Sequence, residues 1–553
     1  MRGLLSSFLL RLKVRNLTSP LCTSQSRSRS FLFTSPAPVV KISYLSPKLC
    51  NLPNFHAHFS TTPINNTADK ETVEERNNEL KIEIISEENI KPSSATPDHL
   101  KTHEVSVFDQ LFPHMHMPFI YFYANEINHQ DDNLIQKRRQ LLKQSLSETL
   151  TRFYPLAGKV KDNRHIDCND DGVYYVEAKA SNFLSDFLKH PDDNKSINRL
   201  LPFDPNSIHE LLSSKTYLVM IQVTVFGCGG MAIGLYTSHK IIDGFTHATF
   251  LKAWAATTRE LGSCSENRSI NINIHPNFKI SPSTFPSNPT LPADAKMLFL
   301  TMLSGKKNKR ARFVFSASSI ATLKKKAGAS STSSRVMAVT GLIWKCVMAA
   351  SSKARSKDSN KCDNIPRSSA LTLAVNLRER SSPPMPPYTV GNMVWSTSAI
   401  MNNISTAYDD DDDDLRSLNS IIQGLKNSVD IINSDFIEKM KGEEGSLQVV
   451  ELWKERKLFR SKENIYYFGV TSLCRNGNKE IDFGWGRPIW VSNGIADTDT
   501  LLTNVVVLMD TRSGNGIEAW VTLTEEEMAF LERDPQILAF ASLNPSPLEI
   551  VDW

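Results

Sequence analysis

Residues 263–296 carry a Ser-, Asn- and Pro-rich text, from SCSENRSININ to SPSTFPSNPTLPAD, without apolar periodicity. On either side of it lies a long segment that alternates strand-like and helix-like patterns. Such a stretch reads as a crossover linker, so the chain is expected to fold as two α/β halves. No run of about 18 uninterrupted apolar residues occurs, and no membrane span is expected. With 40% hydrophobic and 22% charged residues, the 553-residue chain can bury a core and is neither a fibrous nor a disordered polymer.

The local patterns fill in the halves. Lys81 to Ser86 alternates as a strand does, and Phe119 to Tyr123 reads as a second strand. Leu134, Leu141, Leu142, Leu146 and Leu150 recur at helical spacing and stop before Pro155. Strands follow at Val173 to Val176 and Tyr217 to Val225, and the Gly227 to Gly230 turn sends the chain back into MAIGLYTS. A helix is expected from Gly244 to Leu261, and strands and helices alternate again from Arg312. The boundaries drawn from this are an extension at 1–75, a first domain at 76–262, a linker at 263–305 and a second domain at 306–553.

Residues 1–68 contain eight basic residues and no acidic one, whereas the rest of the chain has 55 basic against 59 acidic residues. The body is therefore not a basic nucleic-acid binder. The Arg- and Ser-rich, acid-free extension has the composition of an organellar transit peptide, with Leu4, Leu5, Phe8, Leu9 and Leu12 forming an apolar stripe beside Arg11 and Arg15. It implies a mitochondrion or plastid; if it is instead a disordered tail, the cytoplasm is expected. Eight scattered cysteines, none in a C-x-x-C, suggest neither a zinc site nor a disulfide framework. The six aspartates Asp409 to Asp414 read as a solvated loop, since six adjacent like charges cannot all face one ion. His114 and His116 lack a nearby third ligand, and no metal is expected.

Two motifs could carry chemistry. In Ser238-His239-Lys240-Ile241-Ile242-Asp243-Gly244 a histidine follows a buried strand and an aspartate opens the next helix. An imidazole at a strand end can be held rigidly as a general base, and the aspartate can orient the loop or ring. Alone the pattern is weak, expected by chance in roughly one chain in twenty of this size, and a packed histidine with a capping aspartate explains it as well. Asp482-Phe483-Gly484-Trp485-Gly486 is far more specific: two glycines around a tryptophan mark a backbone that turns tightly or approaches something closely.

The two motifs, in this order and about 240 residues apart, resemble those of the BAHD acyltransferases, and within them the vinorine synthase-like group. FYPLAGK (Phe153 to Lys159), Ile166 to Val173, LPFDP (Leu201 to Pro205), CGGMAIG and Asn376 to Asn392 extend the resemblance over Leu80 to Trp553. It implies two chloramphenicol acetyltransferase-like α/β domains with a channel between them. It also implies an O-acyltransferase that uses acyl-CoA, acetyl-CoA first, as co-substrate, holds no bound cofactor, and acylates a small hydroxylated alkaloid or terpenoid as a monomer. The extension departs from the family, whose members begin close to the first strand.

On this reading His239 is the general base, and no serine or cysteine is paired with it as a nucleophile, so direct transfer in a ternary complex is expected. Asp243 orients or forms a salt bridge, and the indole N–H of Trp485 is a candidate oxyanion donor. Asp482 is expected to pair with a distant arginine, Arg378 first and Arg335 second, with Phe483, Gly484 and Gly486 completing a structural motif. CoA-binding residues are not identified: Lys306, Lys307, Lys309 and Arg310 could meet its phosphates, although a solvated linker end explains them better. His247 reads as a surface or core residue. N-acylation, a noncatalytic ligand-binding protein on the same scaffold, and a condensation domain are the alternatives; the last expects HH where Ser238-His239 stands.

Overall fold

The computed structural model describes residues 80–125, 131–191, 195–202, 217–263, 273–291, 307–328, 333–356, 368–402, 415–460, 465–493 and 503–549. The 1–75 extension, most of LPFDP, Lys306 and the aspartate run lie outside them. Residues 70–553 form one compact unit. Its strands are β1 (Ile82–Ile90), β2 (Thr102–Glu104), β3 (His116–Tyr123), β4 (Lys159–Val160), β5 (His165–Asp167), β6 (Val173–Ala180), β7 (Val219–Phe226) and β8 (Met231–Ser238) in the first half. The second half holds β9 (Asn308–Phe315), β10 (Ser368–Asn376), β11 (Val394–Asn402), β12 (Ile465–Ser472), β13 (Trp490–Ser492), β14 (Val505–Asp510), β15 (Ile517–Thr524) and β16 (Ser542–Leu543).

A six-stranded sheet runs β1-β6-β7-β8-β3-β13, a seven-stranded one β11-β10-β12-β14-β15-β9-β16, and a small one β2-β5-β4. In each large sheet most neighbours are antiparallel, with parallel pairs at β6/β7 and at β10/β12/β14. Every residue of β7 and β8 is buried, so their nearly continuous apolar runs mark strands covered on both faces. Their hairpin turns through Gly229, whose φ of +79° suits a residue without a Cβ.

The helix α1 (Asp132–Arg152) packs against α2 (Gly244–Gly262). The indole of Trp254 on α2 donates to the Leu142 carbonyl at 3.1 Å, and the Ser145 and Thr258 hydroxyls meet at 2.8 Å. These bonds satisfy the polar atoms that a wholly buried helix contact would otherwise strand.

The boundary at residue 306 does not separate the halves as the sequence suggests. β13 leaves the second half and pairs with β3, Trp490 opposite Phe122, completing the first sheet. The ring of Trp490 stacks on Phe122 at 5.2 Å and on Trp520 at 5.9 Å, and its N–H donates to Glu518 at 3.2 Å. The linker also carries structure where it is described: Ile280–Thr284 is a short helix and Phe285 sits in the second half's core. Lys309 and Arg310, expected at a solvated linker end, lie within β9, where Lys309 pairs with Glu532 at 2.8 Å and Arg310 donates to Asn493 at 3.1 Å. Among the described residues no helix is long and apolar enough to cross a membrane.

Gly234 decides how closely β8 is covered, because a Cβ there would stand 1.9 Å from the Leu200 carbonyl oxygen. Backbone cannot yield as a flexible side-chain end can. Gly234→Ala should therefore lower stability by about 1–3 kcal/mol, read from the urea unfolding midpoint; an unmoved midpoint would contradict the close approach.

Candidate active site

β8 ends at Ser238, and His239 begins the turn into α2. Its backbone N–H donates to the Met115 carbonyl at 2.6 Å, which ties the turn to the chain entering β3. His239 as a residue is half-buried, and Phe112 lies flat on its ring at 4.2 Å and an interplanar angle of 7°. Burial lowers its pKa, against a backbone hydrogen bond, the charge of Asp243 and the Asn392 bond, which raise it. The ring is thus neutral at neutral pH.

Nδ1 of His239 lies 3.0 Å from Oδ1 of Asn392, a residue of the other half. The Asn392 Nδ2 donates to Asp109 Oδ1 at 2.9 Å, to the His239 carbonyl at 2.9 Å and to the Lys240 carbonyl at 3.2 Å. Asp109, wholly buried, also accepts from the Asn392 backbone N–H at 2.7 Å and from the N–H and hydroxyl of Ser106 at 2.9 and 2.6 Å. Burial raises its pKa, opposed by these donors and by Lys240.

Asp243 caps α2, its Oδ1 accepting from the Thr246 N–H at 2.8 Å. The same carboxylate takes two bonds from Arg378, at 2.7 and 3.2 Å, and one from the Met393 N–H at 3.2 Å. Arg378, 4% exposed, also donates to the carbonyls of Thr389 and Gly391, both within 2.9 Å, and to Asn376 Oδ1 and the Thr246 hydroxyl at 3.3 Å, and its guanidinium rests 4.4 Å over Phe245. A fork this well satisfied fixes the loop 389–393, and that loop presents Asn392 to His239.

The arginine expected for Asp482 is therefore engaged elsewhere. Arg378 pairs with Asp243, and Arg335, the second choice, pairs with Asp510. Asp482 instead folds its own turn: Oδ1 accepts from the N–H groups of Gly484 and Gly486 at 2.7 and 3.1 Å. Both glycines have positive φ, +108° and +98°, the conformation their lack of a Cβ permits. Phe483 enters the core against Trp254 and Tyr123, at 4.9 and 5.8 Å.

Nor does the structure bring Trp485 to His239. Its ring stacks on Phe483 and lies under Arg138 of α1 at 5.3 Å. Phe483 meets α2 at Trp254 and the Asp482 carbonyl meets it at Arg259, roughly 16 to 24 Å along the helix from Asp243 at 1.5 Å per residue. An indole anchored there does not reach an oxyanion beside His239, so the oxyanion role expected of Trp485 is corrected to packing.

Ser238 turns away from His239, its hydroxyl 3.0 Å from His114 Nδ1 and accepting from the Lys240 N–H at 3.3 Å. His116 Nε2 lies 2.7 Å from the Tyr217 carbonyl. His247 is a core residue between Tyr121 and Thr237, its pKa lowered by burial to about 3. Asn392, Asp109 and Ser106 were not singled out from the sequence. Asn392 ends a stretch that carried the resemblance, and Ser106-x-x-Asp109 is a capping pattern on a four-residue helix that nothing local marks as functional.

The comparisons agree on one family. The profile of the "Transferase family" matches residues 80–538. The chain belongs to this family, the BAHD acyltransferases. It is 39% identical over 482 residues to the epi-neemfruitin B 7-O-acetyltransferase of Melia azedarach, covering 84% of this chain and 99% of that one. It is 38% identical to a limonoid 7-O-acetyltransferase of Citrus sinensis, again over 84% of this chain and 99% of the relative. The crystal structure of vinorine synthase, 33% identical, matches with a TM-score of 0.65 over 84% of this chain and 100% of that one. A F. sporotrichioides TRI101 structure complexed with coenzyme A and T-2 shares the two-domain fold at 14% identity and a TM-score of 0.56, over 80% of this BAHD chain and 99% of that one.

The two aspartates now have different costs. Asp243→Ala strands the buried Arg378 and should cost about 3–5 kcal/mol. Asp482→Ala removes only two bonds to a partly exposed turn, at about 0.5–1.5 kcal/mol each. Urea unfolding of the two variants should rank them in that order, and the reverse order would restore the Asp482 pairing.

Proposed function

We propose that this chain transfers an acetyl group from acetyl-CoA to a hydroxyl of a terpenoid or alkaloid, with His239 as the general base. The reading rests on a neutral imidazole at the end of β8, fastened at one nitrogen by the opposite half, in a family whose relatives at 38–39% identity are named as O-acetyltransferases. Limonoid alcohols are the first acceptors to try.

An alcohol is too weak an acid to ionise at neutral pH, so its proton must leave as its oxygen attacks the thioester carbonyl. His239 takes that proton. The tetrahedral intermediate then collapses, the carbon–sulfur bond breaks, and the imidazolium returns the proton to the departing thiolate, leaving ester and free CoA. Ser238, bonded to His114 and Lys240, is not placed as an acyl-carrying nucleophile, which supports direct transfer. A channel between the halves, open to CoA on one face and the acceptor on the other, would admit both.

His239→Ala should lower acetyl transfer from acetyl-CoA to a limonoid alcohol by roughly 10²- to 10⁴-fold; a folded variant with near-normal turnover removes the base assignment. Because burial lowers the His239 pKa, kcat/KM should be flat above the ordinary histidine value of 6.5 and fall only below it, as the ring protonates. A midpoint above 6.5 would contradict the assignment. Residues 1–75 we read as an organellar presequence. Fused to a fluorescent protein, they should direct it to mitochondria or plastids; a purely cytosolic signal ends that reading.

A further inference from the structure

We propose that Asp109 and Asn392 are positioning residues for the transfer reaction, holding His239 in the tautomer with hydrogen on Nδ1 and the lone pair on Nε2. The proposal rests on the reading of His239 as the general base.

The Asn392 amide fits its surroundings in one orientation. One end faces three oxygens, Oδ1 of Asp109 and the carbonyls of His239 and Lys240, all within 3.2 Å. None of the three carries a hydrogen, so that end must be the NH₂ group. Turned the other way, the amide would set its own oxygen against all of them. Its Oδ1 therefore points at Nδ1 of His239, 3.0 Å away, and an acceptor there is satisfied only by an N–H. A neutral imidazole has one N–H, so the lone pair falls to Nε2.

Asp109 gives the amide its direction. Its carboxylate meets donors alone: the Ser106 N–H and hydroxyl on Oδ2, the Asn392 N–H and NH₂ on Oδ1. That set suits the ionised, acceptor-only form. Lys240, also buried, donates to the Asp109 carbonyl at 3.1 Å and brings a compensating charge. Gly391, at φ +121°, lets the loop come close; a Cβ there would stand 2.8 Å from the Ser281 hydroxyl and 3.4 Å from Asp109 Oδ2. The charged and titratable side chains around the relay are Asp109, Lys240, the Asp243–Arg378 pair and, through Ser238, His114. A carboxylate placed directly on Nδ1 would fix the same tautomer but also favour the imidazolium. With an amide between them, orientation is transmitted while the full negative charge stays one residue away, which keeps the ring a neutral base.

The test compares full-length wild type, Asn392→Ala, Asp109→Asn and His239→Ala. Imidazole ¹⁵N spectra of histidine-labelled protein, with the His239 signals identified by their loss in His239→Ala, should show hydrogen on Nδ1 in wild type. Asn392→Ala and Asp109→Asn should shift those signals toward the other tautomer. With acetyl-CoA and a limonoid alcohol, both should lower kcat by roughly 10- to 100-fold with KM for acetyl-CoA little changed. In Asn392→Ala the acid limb of kcat/KM should also move to lower pH, since the lost bond favours the protonated ring. Wild-type ¹⁵N signals in a folded Asn392→Ala, or an unmoved limb, would overturn the relay even if kcat fell. Should Asn392→Ala not fold, the isosteric Asp109→Asn decides by the same spectra. Transfer retained by His239→Ala would refute the base assignment, whereas a relay failure with His239→Ala inactive leaves that assignment standing.

Discussion

The buried ion pair between Asp243 and Arg378 joins the start of α2 in the first half to the loop 376–393 in the second. Buried pairs are poor sources of net stability, because removing two charges from water costs about what their attraction returns. Their strength is directional. Here the guanidinium binds the carboxylate with two nitrogens and two loop carbonyls besides, leaving that loop little choice of position. Asn392 follows directly on Gly391, whose carbonyl Arg378 holds. The distance between the two halves is thus translated into the setting of one imidazole.

This arrangement separates the roles of two neighbours in sequence. On the proposed reading His239 moves the proton, while Asp243, four residues on, is linked to its ring through Arg378, the loop and Asn392. Loss of activity on replacing Asp243 would accordingly report on the loop, not on a proton moved by its carboxylate. The Asp482 to Gly486 motif acts in another place again. Asp482 closes a turn on two glycines, Phe483 fills the core beside Trp254, and the chain continues into β13. Its specificity as a motif reflects this packing and the strand it launches.

Much of this was legible in the sequence where the determinants are local. The apolar runs of β7 and β8, the helical spacing of Leu142, Leu146 and Leu150, and the Gly-rich hairpin turn each depend on neighbours within a few residues. His239 at the end of β8 and Asp243 at the start of α2 were readable for the same reason. The partner of Asp482 was not, since either arginine could satisfy a carboxylate and only the fold brings Arg378 to Asp243. Asp109 was invisible for a similar reason: its capping pattern explains it locally, and its contact with Asn392 spans 283 positions. β13, three residues long, is too short for periodicity to announce and takes its place from pairing with Phe122.

The strand β13 also bears on how such a molecule can be divided. Because the first sheet borrows its sixth strand from beyond residue 489, the linker is a boundary in sequence but not a seam in the architecture. A chimaera cut at the linker would graft a foreign edge onto β3 and ask a new tryptophan to stack on Phe122. Exchange of parts between related proteins would thus be constrained at that aromatic contact as firmly as at the chemistry itself.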